Sequence, residues 1–410
     1  MALAASSLSR VLPPTFCSPR FSCILPSASY ILPCVSPPAL CYLLRRSYPE
    51  RNSRTSASKE GEETMKRRLA ASLAALLVFG SLSHVAAWGG DGHQTVGRVA
   101  TLHVKPQTAR RIQQILKPGE TLASVSTWAD NVKERMGESD PDPDTHAFLQ
   151  DLAHNERNRE WHYDDLPLNC TSYQTCHDFA PGNDIVHLME AALQTLRGIA
   201  QPNFPLSERN ALRLLVHLVG DIHQPLHMAC GFIDENGPNG TIVIVRDPNT
   251  IRAKRLMHDR GGNQLIIDNN RRNLHGYWDF DLVKSLMTAT NRPTSDELGN
   301  FLMRSVRRQP GWITSGHVNT WPVQWANDSL RQSRQHAYRS VRITRKRIVP
   351  VVRDGKPVMG DDGQPLTSVV YDIIRPANYE TANREIVRIQ LAKAGFRLAK
   401  MLDAIYADRR

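Results

Sequence analysis

The segment HLVGDIHQPLH, residues 217–227, constrains the chain more than any other. His217 and Asp221 are four residues apart, so on a helix they project from one face. The helical periodicity that carries them runs from Ser207, an N-cap residue, to His223. Pro225 cannot donate to the Asp221 carbonyl, so the helix must kink or end there and re-aim His227 toward a neighbouring position. Three histidines and an aspartate within eleven positions fit a metal-ligand cluster better than hydrogen-bonded core histidines, and one such segment can serve more than one ion.

NLHGYWD repeats the spacing with His275 and Asp279. Alone that pair is weak, because His-x-x-x-Asp arises often by chance; beside the first cluster it gains weight. WHYDD supplies His162 and STWADNVK supplies Asp130, each of which reads equally as packing or surface charge when taken singly. WGGDGH places Trp88 five residues before His93. A free α-amine on Trp88 titrates near pH 8, and its adjacent carbonyl can close a chelate ring on a metal.

That amine requires processing. From Met65 the chain reads MKRRLAASLAALLVFGSLSHVAA, a basic start, an apolar run and small residues at Val85 and Ala87. This is the pattern of a secretory signal peptide, residues 65–87, cleaved before Trp88. The run from Leu69 to Leu82 is broken by Ser72, Gly80 and Ser81 and falls short of the roughly 20 residues that span a bilayer. Residues 1–64 are rich in Ser, Pro and Arg, hold Cys17, Cys23, Cys34 and Cys41, and imply no fold. They read either as the product of a start assigned too early or as an organelle transit sequence ahead of a lumenal signal. The expected location is therefore secreted or periplasmic, or an organelle lumen.

Cleavage leaves 323 residues, Trp88 to Arg410, long enough for a sizeable core in a single domain, with no transmembrane segment. The whole chain has net charge +11, but residues 1–87 hold ten basic and four acidic side chains, leaving 41 basic against 36 acidic. A strongly basic footprint is absent, so any attraction for phosphate must come from the site itself. Cys170 and Cys176 can close a small disulfide in an oxidising compartment, with Cys230 left as a buried thiol or an alternative partner. Asn169, Asn239 and Asn327 are glycosylation sequons in a eukaryotic host.

Helical periodicity recurs over Gln94–His103, Pro106–Leu116, Asn183–Ile199, Tyr277–Leu286 and Pro376–Ala407, giving an all-α fold of many helices. Polar loops are expected at Met136–Asp151 and at Cys230–Arg260, the latter with a short β-like run at Thr241–Val245. From Val341 to Arg375, β-branched runs separated by Asp354-Gly355 and Asp361-Asp362-Gly363 predict a protruding β-hairpin arm.

With these motifs in order, and with DRGGN at Asp259–Asn263 and the ending YETANREIVRIQLAKAGFRLAKML, the chain resembles the zinc-dependent single-strand nucleases of the S-one and P-one type, relatives of phospholipase C. The resemblance spans residues 88–410. It implies a mainly helical fold and three Zn²⁺ ions. It also implies hydrolysis of RNA and single-stranded DNA to 5′-phosphorylated nucleotides by a zinc-activated hydroxide, with 3′-nucleotidase activity, in a monomer.

Carried over by motif, the resemblance gives one zinc to Asp130, His162, His217 and Asp221. It gives a second to Trp88, through amine and carbonyl, with His93 and again Asp221, and a third to His227, His275 and Asp279. Asp130 and Asp221 would be catalytic, with Lys133 as the cation on the scissile phosphate. Tyr163 would stack on a base and Asp165 bond its edge, although packing beside His162 also accounts for Tyr163. Three ions against three aspartates and a hydroxide leave net positive charge facing the substrate. The rim loops and the Val341–Arg375 arm depart from the shared motifs and put substrate preference in doubt, but remove no ligand. Phospholipase C fits less well, because its first His lies farther from the N-terminal Trp and its last acid is typically Glu. A secreted zinc-binding protein with a dead site would be favoured by loss of Asp130 or Asp221, and neither is lost.

Overall fold

A helix whose side chains are buried all round belongs at the centre of a fold, and Glu208–Ile222 (α5) is such a helix, with every residue but Glu208 buried. Ser207 caps it as expected, its hydroxyl accepting from Asn210 N at 3.1 Å. The computed structural model describes residues 88–155, 157–180, 182–267, 272–353 and 355–407. The signal segment and the upstream extension lie outside the described residues.

Around α5 pack Gly89–Thr101 (α1), Trp128–Val132 (α3) and Ile185–Leu196 (α4), with Pro106–Ile115 (α2) farther out. Trp321–Gln332 (α8) lies against α4 and α5. The last helix, Tyr379–Ala407 (α9), packs on α1, on α5 and on Leu282–Thr290 (α6), while Ser295–Ser305 (α7) rests on α1. In α9 burial is one-sided at its start, at Tyr379, Asn383 and Val387, and closes all round from Gln390 to Ala399. The fold is mainly helical, and no helix among the described residues is long and apolar enough to cross a membrane.

Three expectations need correction. The first helix begins at Gly89, five residues ahead of the predicted Gln94. Its glycine-rich start is poor helix-forming sequence, and tertiary contacts override propensity: Trp88 is fully buried and its Nε1 donates to Gly220 O on α5 at 2.8 Å. The supposed rim loops are ordered. Pro143 opens a helix, Pro143–Gln150, ahead of which Asp142 binds Lys117 and Arg213. Cys230–Arg260 folds into a three-stranded sheet of Phe232–Asp234 (β1), Val243–Val245 (β2) and Met257–His258 (β3), in the order β2-β1-β3.

The third correction concerns the arm. Arg342–Pro350 (β6) and Thr367–Ile374 (β7) do pair antiparallel as a hairpin, with a register shift at Asp372/Ile373. It is anchored, however, because β7 also pairs in parallel with Leu265–Ile267 (β4), which in turn pairs with Arg272–Asn273 (β5). Val370, Tyr371 and Ile373 are buried by that pairing, and Tyr371 Oη donates to Glu235 at 2.8 Å.

Candidate metal centre

Asp221 is fully buried on α5 and its two oxygens face different imidazoles. Oδ2 lies 3.0 Å from His162 Nδ1 and 3.1 Å from His217 Nε2, while Oδ1 lies 3.1 Å from His93 Nε2 of α1. Asp130 Oδ1, from α3, stands 3.8 Å from His162 Nδ1 and 3.7 Å from His217 Nε2. Two donor groups, His93/His217/Asp221 and Asp130/His162/His217, therefore adjoin one another. His227, His275 and Asp279 form a third, with His227 Nε2 and His275 Nε2 3.1 Å apart and His275 Nε2 3.3 Å from Asp279 Oδ2. Trp88 N donates to Asp279 Oδ1 at 3.1 Å.

Local structure accounts for the aim of each ligand. The helix stops at Ile222 and Pro225 opens a short 3₁₀ turn, Pro225–His227, that swings His227 away from the His217 face. The expected regular helix over Tyr277–Leu286 is instead a π-turn, Tyr277–Asp281, leading into α6. Such single π-turns are frequent at functional sites. His223, counted with the cluster in the sequence, turns the other way: its Nε2 accepts from Arg397 Nη1 at 3.0 Å and its Nδ1 lies 2.8 Å from Val219 O.

Backbone carbonyls fix the rings. His217 Nδ1 donates to Ser126 O at 2.7 Å, His227 Nδ1 to His162 O at 2.6 Å, and His275 Nδ1 to Gly261 O at 2.8 Å. Each bond holds the proton on Nδ1 and leaves the Nε2 lone pair pointing into its group. Gly261 has φ +58, and a Cβ there would meet Leu226 O at 2.5 Å, so only glycine lets this carbonyl reach His275. Asp164 N returns a bond to His227 O at 2.7 Å, so the His162 and His227 segments are tied twice, once by the His227 ring and once along the backbone.

Burial lowers four of the imidazoles, His93 among them: it drives His162 down to about 4, with Lys133 adding to the effect, His227 to about 3 and His275 to about 4. Burial would lower His217 too, but the Asp221 and Asp130 carboxylates raise it. Burial would raise Asp130, but the Lys133 ammonium and the neighbouring imidazoles hold it at about 2. Buried atoms His93 Nε2, Asp221 Oδ1 and Asp279 Oδ2 have no hydrogen-bond partner. Orphaned imidazole and carboxylate donors that converge in an apolar core are costly without a cation between them. Burial pushes the Asp279 carboxyl well up, and imidazole nitrogens with carboxylate oxygens are the donor set that Zn²⁺ takes.

Lys133 Nζ lies 2.7 Å from Asp130 Oδ1, at the edge of the first group. Tyr163 follows His162 and is half-buried, its phenol pushed up to about 12 chiefly by burial. Asp165 is paired with His258 Nδ1 at 3.2 Å. The sequence did not single out Ser126 or Gly261, which act through backbone carbonyls. It also passed over Gln224, whose Nε2 donates to Asp279 Oδ1 at 2.8 Å.

A mainly helical chain whose central helix gathers histidines and aspartates into three adjoining donor groups has the construction of a metal-dependent hydrolase. Residues 88–407 match the family described as S1/P1 Nuclease. The chain belongs to that family and is a hydrolase of the nuclease type. It is 27% identical to Nuclease S1 of Aspergillus oryzae (strain ATCC 42149 / RIB 40) over 348 residues, 81% of this chain and 96% of that protein. It is 25% identical to Endonuclease 4 of Arabidopsis thaliana over 346 residues, 78% and 90% of the two chains. Nuclease P1 of Penicillium citrinum is 24% identical over 339 residues, covering 78% and 98%. The chain carries the disulfide Cys170–Cys176, and Cys230 is a free buried thiol.

Proposed function

We propose that the protein is a secreted endonuclease that hydrolyses RNA and single-stranded DNA to 5′-phosphorylated nucleotides, with 3′-nucleotidase activity, at a site holding three Zn²⁺ ions. The observation that carries this reading is Asp221, a buried carboxylate with three imidazoles around its two oxygens. Asp130, His162, His217 and Asp221 would hold one ion, His93, Asp221 and the processed Trp88 terminus a second, and His227, His275 and Asp279 the third. When bound, the ions supply the positive charge that draws phosphate and the acidification of water for attack.

The chain's own groups do the rest. Lys133, 2.7 Å from Asp130, adds a fixed cation beside the position of the scissile phosphate. Tyr163 offers a neutral ring, protonated at every working pH, for one base to stack on. A flexible strand can present an unstacked base and a duplex resists doing so, which gives the single-strand preference. Asp165 accepts from that base's edge through Oδ2, the oxygen not paired with His258. Release before Trp88 by signal-peptide cleavage supplies the terminal amine, and the enzyme acts as a monomer.

Metal analysis of the purified protein, combined with hydrolysis of single-stranded RNA, duplex DNA and phosphatidylcholine, tests the proposal. Three zinc ions per chain and preferential cleavage of RNA are expected. Turnover of phosphatidylcholine alone would overturn it in favour of a phospholipase.

A further inference from the structure

A fourth set of donors converges outside these three groups. Asp165, Cys230 and His258 of β3 bring a carboxylate oxygen, Sγ and Nδ1 within 4.8 Å of one another. The three come from separate segments, so no local turn forces them together. Cys230 is fully buried, while the Asp165 and His258 side chains are 15% and 32% exposed, which leaves one side of the group open to solvent.

Their spacing is that of ligands. His258 Nδ1 lies 3.2 Å from Asp165 Oδ1, yet it is a buried atom without hydrogen-bond geometry to any partner. The same relation occurs in the metal centre, at His93 Nε2 and Asp221 Oδ1, 3.1 Å apart, and at His275 Nε2 and Asp279 Oδ2, 3.3 Å apart. In those pairs too a buried atom lacks a hydrogen bond. Two donors each about 2.0–2.1 Å from a tetrahedral ion stand about 3.3 Å from one another, which all three pairs match.

Two acids frame the group. Asp259, next to His258, is fully buried, is bonded by Tyr338 Oη at 2.9 Å, Gly231 N at 3.2 Å and Gly262 N at 2.9 Å, and is pushed up to about 7 by burial. Burial would lower His258, but Asp165, 3.2 Å away, raises it, so a cation bound here would take the place of the imidazole proton beside Asp165.

We propose that Asp165, Cys230 and His258 form a fourth metal site, taking a borderline-soft divalent cation such as Zn²⁺ and leaving the fourth position to water. Thiolate with imidazole and carboxylate is a donor set for such ions. Loading replaces the Cys230 thiol proton, which leaves to solvent as the sulfur-metal bond forms, so binding strengthens as pH rises. The unloaded protein keeps the thiol, because burial pushes its pKa up.

Cobalt separates this site from the other three, since a thiolate ligand gives a near-ultraviolet charge-transfer band that nitrogen and oxygen ligands lack. The mature chain, residues 88–410, is stripped with a chelator, reloaded with Co²⁺, and compared with the same chain carrying Cys230→Ser. Cys170 and Cys176 are joined in a disulfide, so the band reports Cys230 alone. The band is expected in the unaltered chain and lost in Cys230→Ser, while the visible cobalt bands of the nitrogen and oxygen groups persist. His258→Gln, which keeps the thiol, should shift the Co²⁺ titration of the band by at least about tenfold, and it serves where Cys230→Ser fails to fold. Identical near-ultraviolet spectra, or an unshifted titration in His258→Gln, overturn the fourth site. Loss of the visible bands in the unaltered chain would instead overturn the three-ion reading.

Discussion

Gly220 faces His93 so closely that a Cβ at that position would stand 2.6 Å from His93 Nδ1. Gly220→Ala should push the ring off Asp221 while the rest of α5 keeps its packing. Zinc affinity and turnover should each fall about 10–100-fold, with stability reduced by about 1–3 kcal/mol. Zinc titration beside thermal unfolding checks this; a variant with unchanged affinity shows that His93 takes no part.

Asp221→Asn should be more damaging than Lys133→Ala. The first removes charge from a carboxylate facing three imidazoles, whereas the second removes one cation at the edge of a group. Turnover and zinc content of both variants decide it, and equal rates with full zinc in Asp221→Asn would sink the bridging role.

Tyr163→Ala should raise KM for oligonucleotides with zinc content unchanged. Stacking contributes about 1–3 kcal/mol per base, or roughly five- to 150-fold in binding. An unaltered KM returns Tyr163 to a packing role beside His162.

Acid should weaken the fold through Asp328. Burial would raise its carboxyl, but Lys393 Nζ at 2.6 Å and Arg397 Nη1 at 2.9 Å hold it well below the usual range. A carboxyl depressed in the folded state stabilises above its unfolded pKa, about 3.9, and that contribution is lost as pH falls below it. Melting of chelator-treated protein between pH 3 and 7 should therefore show a fall at the acid end that is smaller in Asp328→Asn. At neutral pH that variant, with two buried cations left uncompensated, should lose about 3–5 kcal/mol.

Protein that begins at Trp88 should bind more zinc than protein that retains a preceding Met. An amide nitrogen is a poor zinc donor and a terminal amine a good one. Trp88 N already sits among the ligands, 3.1 Å from Asp279 Oδ1. Equal zinc content and equal rates for the two forms would remove the terminus from the site.

The side-chain part of this centre was legible because helix periodicity places His217 and Asp221 on one face, and because proline chemistry ends the helix before His227. The carbonyls of Ser126 and Gly261 were not, since a backbone acceptor carries no residue signature. The π-turn at Tyr277–Asp281 hid behind ordinary helical spacing. The pairing of β7 with β4 joins strands distant in sequence, so its local pattern showed only a hairpin. Cys230 reads only as a thiol and His258 not at all, because parallel pairing of Leu166–Pro167 with Ala229–Cys230 and antiparallel pairing of β3 with β1 bring them to Asp165 only in the fold.

The paired bonds between the His162 and His227 segments, one from the His227 ring and one along the backbone, act as a gauge block. Peptide units are rigid, so the backbone bond from Asp164 N to His227 O sets the gap between the first and third donor groups, and the His227 ring bond to His162 O locks it. Substitutions around the rim can then reshape what enters without altering the width of the jaw that receives it. A chain built this way can change its clientele while its calibration stays constant.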